Sequence, residues 1–509
     1  MNINTVRKLE KIILYLMIIS LPINCLPKEF SIPLIGQNLT HYMLLIGITL
    51  LVYEYRKYRF KISKYILVFF FAFTGWRILC LLLGLLNYQY NYLLSLEQIP
   101  KLELILNCIL KYNFAYSEIF AIKSWLFIGH SKWIVVFGNS IFVISYYVYH
   151  LYKDNFNECF NDFRSACTIL VVIMGSYSFV ELAWLKFSCE NAKHFLEIVN
   201  PYLYDIGVTN TWWPPLLWNG QLRSIAREPS FFGIISVMVL PFLWSYIFEH
   251  KIKFRYVILL LYFVLMIAAT NSRTAIVITI GQIALLILSC CIYFNRSYFI
   301  KIIYVCMITL TGFLLNFLNF NIINNYCHVN NPHIENRIEN YIDNNIESVT
   351  KSDSRSNNAR LASLIANINV IKEYPVTGVG TGLKDAYIYN YMPEFGKYNS
   401  EVILWSNDML DKGVLKSGFP ALNNYAEIAV SNGLTGLIIF LIPVFYIIFN
   451  IVKNREHFFC YPYSIVSLIS MFGLLVAQFS SAGFLECSGL IWGLLFCNIA
   501  YIKSDKFKS

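Results

Sequence analysis

The sequence predicts an all-α polytopic membrane protein, and three observations carry that prediction. Of 509 residues, 57% are hydrophobic and 14% charged, with a mean hydropathy of +0.55, whereas a soluble globular chain carries about 25% charge. Runs of about 20 apolar residues, long enough to cross hydrocarbon as a helix, recur along the whole chain. Lysine and arginine gather in alternate short loops, as expected where they hold the cytoplasmic side.

The apolar runs fall near residues 9–26, 36–53, 64–86, 132–152, 166–187, 229–248, 254–270, 273–294, 300–318, 429–452, 461–478 and 484–502, which makes about twelve transmembrane helices. The first follows Arg7, Lys8 and Lys11 like a signal peptide, but no small-x-small cleavage site follows it, so it reads as an uncleaved helix. The basic loops are Arg56–Lys64, Lys251–Arg255, Arg296–Lys301, Lys453–Arg455 and Lys503–Lys508. They have even parity, which puts both termini in the cytoplasm and explains the +10 charge by orientation in a lipid bilayer, with no nucleic acid required. The 13 cysteines lie mostly in or beside the spans, where cysteine acts as a small hydrophobe, and imply no redox role.

Three long connections then fall on the outer face, at residues 87–131, 188–228 and 319–428. The chain divides into 1–318 (helices 1–9 with outer loops), 319–428 (a large outer loop containing short helices) and 429–509 (helices 10–12 and a cytoplasmic tail). Residues 101–127 read as an interfacial helix or a shallow re-entrant pair. Residues 319–422 carry nine basic against eleven acidic side chains, a balance of −2 that suits an external loop. Within it, Leu361, Leu364, Ile365, Ile368 and Ile371 recur at helical spacing after Arg360, until Tyr374-Pro375 stops the helix.

Charged residues at span ends are the candidates for chemistry. Arg223 and Arg227 are four apart, so a helical turn would set both on one side above the sixth span, with Glu228 beside them and Pro229 at a helix start whose free N–H groups attract anions. The plainer reading is that such arginines snorkel to headgroups. In Thr270–Thr274, Ser272 is placed to cap a helix and Arg273 opposes its dipole by roughly 0.3–1 kcal/mol, a conflict an anionic ligand would resolve. Gly378, Gly380 and Gly382 either let a backbone approach a ligand or make a turn; no Gly-Lys-Ser/Thr follows, which excludes a P-loop. Trp212, Trp213 and Trp218 suit either sugar rings or headgroups. The spacing of Cys327, His328 and His333 matches no zinc pattern, and neither metal nor cofactor is expected.

Taken in order, these places resemble the O-antigen polymerase and ligase superfamily, bacterial membrane glycosyltransferases that use sugars on undecaprenyl pyrophosphate. They are Arg223 through Arg227-Glu228-Pro229-Ser230-Phe231-Phe232-Gly233, Asn271–Ala275, Arg360 with Pro375–Gly380, and Asn423-Asn424-Tyr425 leading to Asn432–Gly436. The resemblance implies a GT-C-like fold in the bacterial inner membrane with a periplasmic site. It further implies lipid-linked oligosaccharides as donor and acceptor, and a chain-length regulator as partner. The catalytic set would be Arg227, Glu228, Arg273 and Arg360, with Arg223, Gly378, Gly380, Asn423, Asn424, Tyr425, Trp212 and Trp213 binding substrate. Ligases that the chain resembles carry histidine where it has Leu422 and an acidic residue where it has Ser431, which favours a polymerase over the ligase alternative. A lipid-linked sugar flippase is the nonenzymatic alternative, but transporters tend to repeat internally and keep charge in a central cavity.

Overall fold

A computed structural model of the chain describes residues 2–32, 35–110, 117–206, 214–249, 251–292, 296–326, 355–481, 483 and 485–504. Among them there is no strand beyond an isolated bridge between Ile32 and Gly36. The first half contains α1 (Ile3–Ser20), α2 (Leu39–Tyr58), α3 (Lys64–Leu86), α4 (Pro100–Leu110), α5 (Glu118–Val136), α6 (Ser140–Tyr152), α7 (Phe156–Phe187) and α8 (Glu190–Leu203). Next come α9 (Pro229–Trp244), α10 (Phe254–Ala269), α11 (Arg273–Ile292) and α12 (Arg296–Tyr326). The outer segment holds α13 (Arg355–Glu373), α14 (Lys384–Asn390), α15 (Glu394–Lys397) and α16 (Ser400–Lys412). The chain ends in α17 (Asn424–Lys453), α18 (Arg455–Phe459), α19 (Pro462–Ala477) and α20 (Leu485–Lys503).

Each of the twelve expected spans overlaps a helix. Among the described residues, six stretches are long and apolar enough to cross a membrane: Lys64–Leu86, Glu118–Tyr152, Phe156–Phe187, Tyr298–Asn316, Asn424–Lys453 and Leu485–Lys503. Four more apolar helices, α9, α10, α19 and the Arg273–Ser289 part of α11, are shorter. At about 1.5 Å per residue, the 16 residues of α9 reach roughly 24 Å.

The span expected at 132–152 is two helices. The chain breaks at Phe137–Asn139, where Asn139 Nδ2 donates to the Ile134 carbonyl (2.8 Å) and to Thr74 Oγ1 (3.0 Å). The buried Arg77 of α3 donates to the Gly138 carbonyl freed there (2.6 Å).

Two apolar cores position the rest. The larger one runs through the bundle around α9, which is apolar on all sides and buried from Phe232 to Trp244. The smaller one joins the ends of α3 and α5 and part of α4 to α13, α14 and α16, so the outer segment is anchored by its own core. The buried face of α13 is Ala359, Ala362, Ala366 and Val370, not the expected leucine and isoleucine stripe; Leu361 and Ile368 are exposed. Small residues win that face because they let α13 lie close against its neighbours.

Candidate active site

Three helices begin around one cavity, and the first turns of two of them, α9 and α11, touch. Gly233 lies one turn into α9, where a Cβ would come within 2.9 Å of Ala275 Cβ and 3.0 Å of Ser272 Oγ. Its missing side chain lets the first turns of α9 and α11 touch. Ser272 Oγ accepts from Ala275 N (3.4 Å), and Asn423 Oδ1 caps α17 by accepting from Ala426 N (3.0 Å). The segment before α9 is tied to the end of α10, with Leu222 N on the Ala269 carbonyl (3.0 Å) and Asn271 Nδ2 on the Gly220 carbonyl (3.1 Å).

These three starts, together with α13, line a cavity of about 630 Å³. Its wall includes Glu228, Pro229 and Ser230 from α9, Ser272, Arg273 and Thr274 from α11, and Asn423 and Glu427 from α17. Arg360 and Asn367 come from α13 and Lys384 from α14. Helix N-termini carry partial positive charge and unsatisfied N–H groups, so three of them around one cavity with Arg273 and Arg360 make a site for an anion. Arg360 is exposed and donates Nη1 to the Ser480 carbonyl (3.0 Å).

The structure gathers Glu228, Arg273, Arg360 and Asn423 at the cavity and places the other predicted residues that it describes elsewhere. Arg223 is 1% exposed; its guanidinium donates to the carbonyls of Pro215 (2.9 Å) and Leu216 (2.7 Å) and lies over the Tyr204 ring. The expected helical turn is absent, since Ser224 has a φ of +56° and the Glu181 carboxylate accepts from the backbone N–H of both Arg223 (3.3 Å) and Ser224 (2.7 Å). Arg223 is thus a strut of its own loop rather than a partner of Arg227. Arg227 directly precedes the cavity wall, and its buried Nε has no hydrogen-bond partner among the described residues.

Gly378 and Gly380, with φ of +64° and +96°, face the chain's own backbone instead of a ligand. Val379 N donates to the Val430 carbonyl (2.8 Å), Gly380 N to the Ser431 carbonyl (3.1 Å) and Leu434 N to the Pro375 carbonyl (2.7 Å). The receiving surface is a break inside α17 at Gly433 (φ 72°, ψ 175°), which frees those carbonyls. Asn424 pairs with Gln478 (2.8 Å), and the Tyr425 hydroxyl donates to the Leu475 carbonyl (2.8 Å), so both fasten α17 to α19. Trp212, Trp213, Cys327, His328 and His333 lie outside the described residues. Trp218 does line the cavity, with Nε1 on Gln221 Oε1 (2.9 Å).

Sequence reading missed Lys384 and Glu427. They form a close ion pair on the cavity wall, with side chains 9% and 27% exposed. Burial works against the Lys384 charge, but Glu427 and Asp385 outweigh it and hold its pKa above the usual value. The neighbouring Asp385 carboxyl is pushed by burial up to about 6, against the pull of Lys384; it accepts from Phe419 N (3.0 Å) and so fastens the strand of chain that leads to Asn423. A lysine in a short helix and a glutamate 43 residues later share no sequence pattern. Among the described residues, no cluster of three or more His, Cys, Asp or Glu side chains could hold a metal ion.

No curated protein matches the chain. Residues 257–441, a little over a third of its length, match a family model described as O-antigen ligase, and the matched stretch holds Arg273, Arg360, Lys384 and Glu427. Over these residues the chain carries a domain similar to that family, consistent with the O-antigen polymerase and ligase superfamily of bacterial inner-membrane enzymes that act on lipid-linked sugars.

Proposed function

We propose that this protein polymerises undecaprenyl-pyrophosphate-linked oligosaccharide units at the periplasmic face. The observation that carries the reading is the cavity at which three helix N-termini meet Arg273, Arg360 and Glu228. The acceptor sugar's hydroxyl oxygen attacks the anomeric carbon of the growing chain's reducing-end sugar. A new C–O bond forms, the C–O bond to pyrophosphate breaks with its electron pair leaving on the pyrophosphate, and the hydroxyl proton passes to the Glu228 carboxylate.

Arg273 and Arg360 stabilise the charge that grows on the leaving group, bidentately where geometry allows, and the helix ends add fixed dipoles. The arginines supply the charge that a divalent cation would bring, and the alternation of basic loops in the sequence supports reading the cavity as periplasmic. A chain-length regulator is the expected partner.

A ligase is the second reading, favoured by the description of the matched family. Leu422 on the cavity wall speaks against it, because a leucine cannot do the work of the histidine that ligases carry there. The deciding assay uses the purified protein in nanodiscs with lipid-linked repeat units extracted from a deletion strain. A polymerase yields products of two or more units on one lipid with equimolar release of undecaprenyl pyrophosphate. Transfer only to added lipid A core would contradict it.

A further inference from the structure

The cavity lining also holds residues whose chemistry differs from that of the arginines. Asn367 lies on α13 two turns beyond Arg360, lines the cavity and is 8% exposed. Its Nδ2 donates to the Ser363 carbonyl (2.6 Å), while Oδ1 is buried with no hydrogen-bond donor among the described residues. Leaving a buried carbonyl oxygen unmatched costs about 1–3 kcal/mol, and such a group in a native fold calls for an explanation. The same cavity is lined by Lys384 and Glu427, an ion pair kept where apolar side chains of similar volume would be as stable or more so.

Taken together, these residues offer a carboxylate, an ammonium that already donates to Glu427 and to the Phe419 carbonyl (3.5 Å) with one N–H left over, and an amide whose buried oxygen lacks a donor, with no net charge. A pyrophosphate would be repelled by Glu427 here and held at the α9 and α11 ends instead. A sugar bearing neighbouring hydroxyls suits these residues: its hydroxyls donate to Glu427 and, once the amide turns to bring its buried oxygen to the cavity, to Asn367, and accept from Lys384.

We propose that Asn367, Lys384 and Glu427 form the subsite for the acceptor's terminal sugar, which sets which repeat unit the enzyme extends. The assignment rests on the glycosyl-transfer reading of the cavity. These are positioning residues, since the proton goes to Glu228.

The test measures binding of two probes to the nanodisc-embedded protein. One is farnesyl pyrophosphate; the other is the repeat-unit oligosaccharide released by mild acid from lipid carriers of a deletion strain. Asn367→Leu should weaken the oligosaccharide about tenfold or more, as expected when a buried partner for a hydroxyl is removed, leave farnesyl pyrophosphate within about twofold, and raise the thermal midpoint because the unmatched oxygen is gone. Glu427→Gln, which keeps the side-chain size, should lower oligosaccharide affinity in the same selective way. Arg273→Ala should do the reverse, weakening farnesyl pyrophosphate alone. Unchanged oligosaccharide binding in Asn367→Leu, equal loss of both probes, or a wild type that binds only farnesyl pyrophosphate would overturn the subsite and leave the glycosyl-transfer reading standing. A wild type that binds neither probe would overturn that reading too.

Discussion

The helix ends at Glu228 and Arg273 and the glycine loop at Gly378–Gly382 look equally functional in sequence, yet the fold uses them in opposite ways. Glu228 and Arg273 face an open cavity. The glycine loop is filled by protein, because its N–H groups go to the carbonyls of Val430 and Ser431 at the Gly433 break. A polar group at a helix start has capacity left over for a ligand, whereas a glycine's capacity for close approach is consumed by whichever backbone reaches it first. The glycine loop is bonded to α17 at its Gly433 break, whereas the charged ends are the groups we propose for the chemistry.

The largest effect expected is on folding. Gly433→Val would place a branched side chain at a φ of 72°, overlapping the Val376 carbonyl. Strain and overlap together should exceed about 4 kcal/mol, so little folded protein should be recovered from membranes. Normal yield and melting would break the comparison. Arg273→Ala should do the opposite. Its side chain is exposed, so the thermal midpoint should stay within the change expected for about 0.5 kcal/mol, while the rate falls about 10²- to 10³-fold in the chain-extension assay.

Arg223→Met sharpens the contrast between two arginines of one motif. Losing the donor for the Pro215 and Leu216 carbonyls should lower stability by about 1–3 kcal/mol, while activity per folded molecule stays within about threefold. A large fall in rate without a fall in stability would return Arg223 to the site.

The smallest effect is electrostatic. Because burial raises the folded-state pKa of Asp385 from 3.8 to about 6, the stability tied to its neutral form is full below about pH 4 and lost as the pH rises through 6. The difference in midpoint between Asp385→Asn and wild type should therefore grow more favourable to the variant from pH 4 to pH 7, as followed by thermal melts. A flat difference would show that Asp385 keeps an ordinary carboxylate pKa.

Much of this architecture was legible because hydropathy and charge act locally. Every apolar run overlaps a helix, and Pro229 and Ser272 announce two of the helix starts that line the cavity; the third, at Asn423, begins earlier than the apolar run from 429 indicated. The break at Phe137–Asn139 was not legible, because an unbroken apolar run hides a turn whose carbonyl is satisfied by Arg77 from another helix. Arg223 misled because spacing of four implies one face only in a helix, and the segment is a turn with a left-handed residue at Ser224. The Lys384–Glu427 pair and the open oxygen of Asn367 exist only through tertiary contact.

If Arg273 and the helix ends serve repeat-unit polymerisation, as proposed, the loss of Arg273 must show at the cell surface. The most direct measurement is a gel of surface lipopolysaccharide from a deletion strain complemented with wild type or with Arg273→Ala at equal protein levels. Wild type should give a full ladder, and the variant a lipid A core bearing a single repeat unit and no ladder. A normal ladder from Arg273→Ala, or loss of even the single-unit band in the deletion strain, would contradict it.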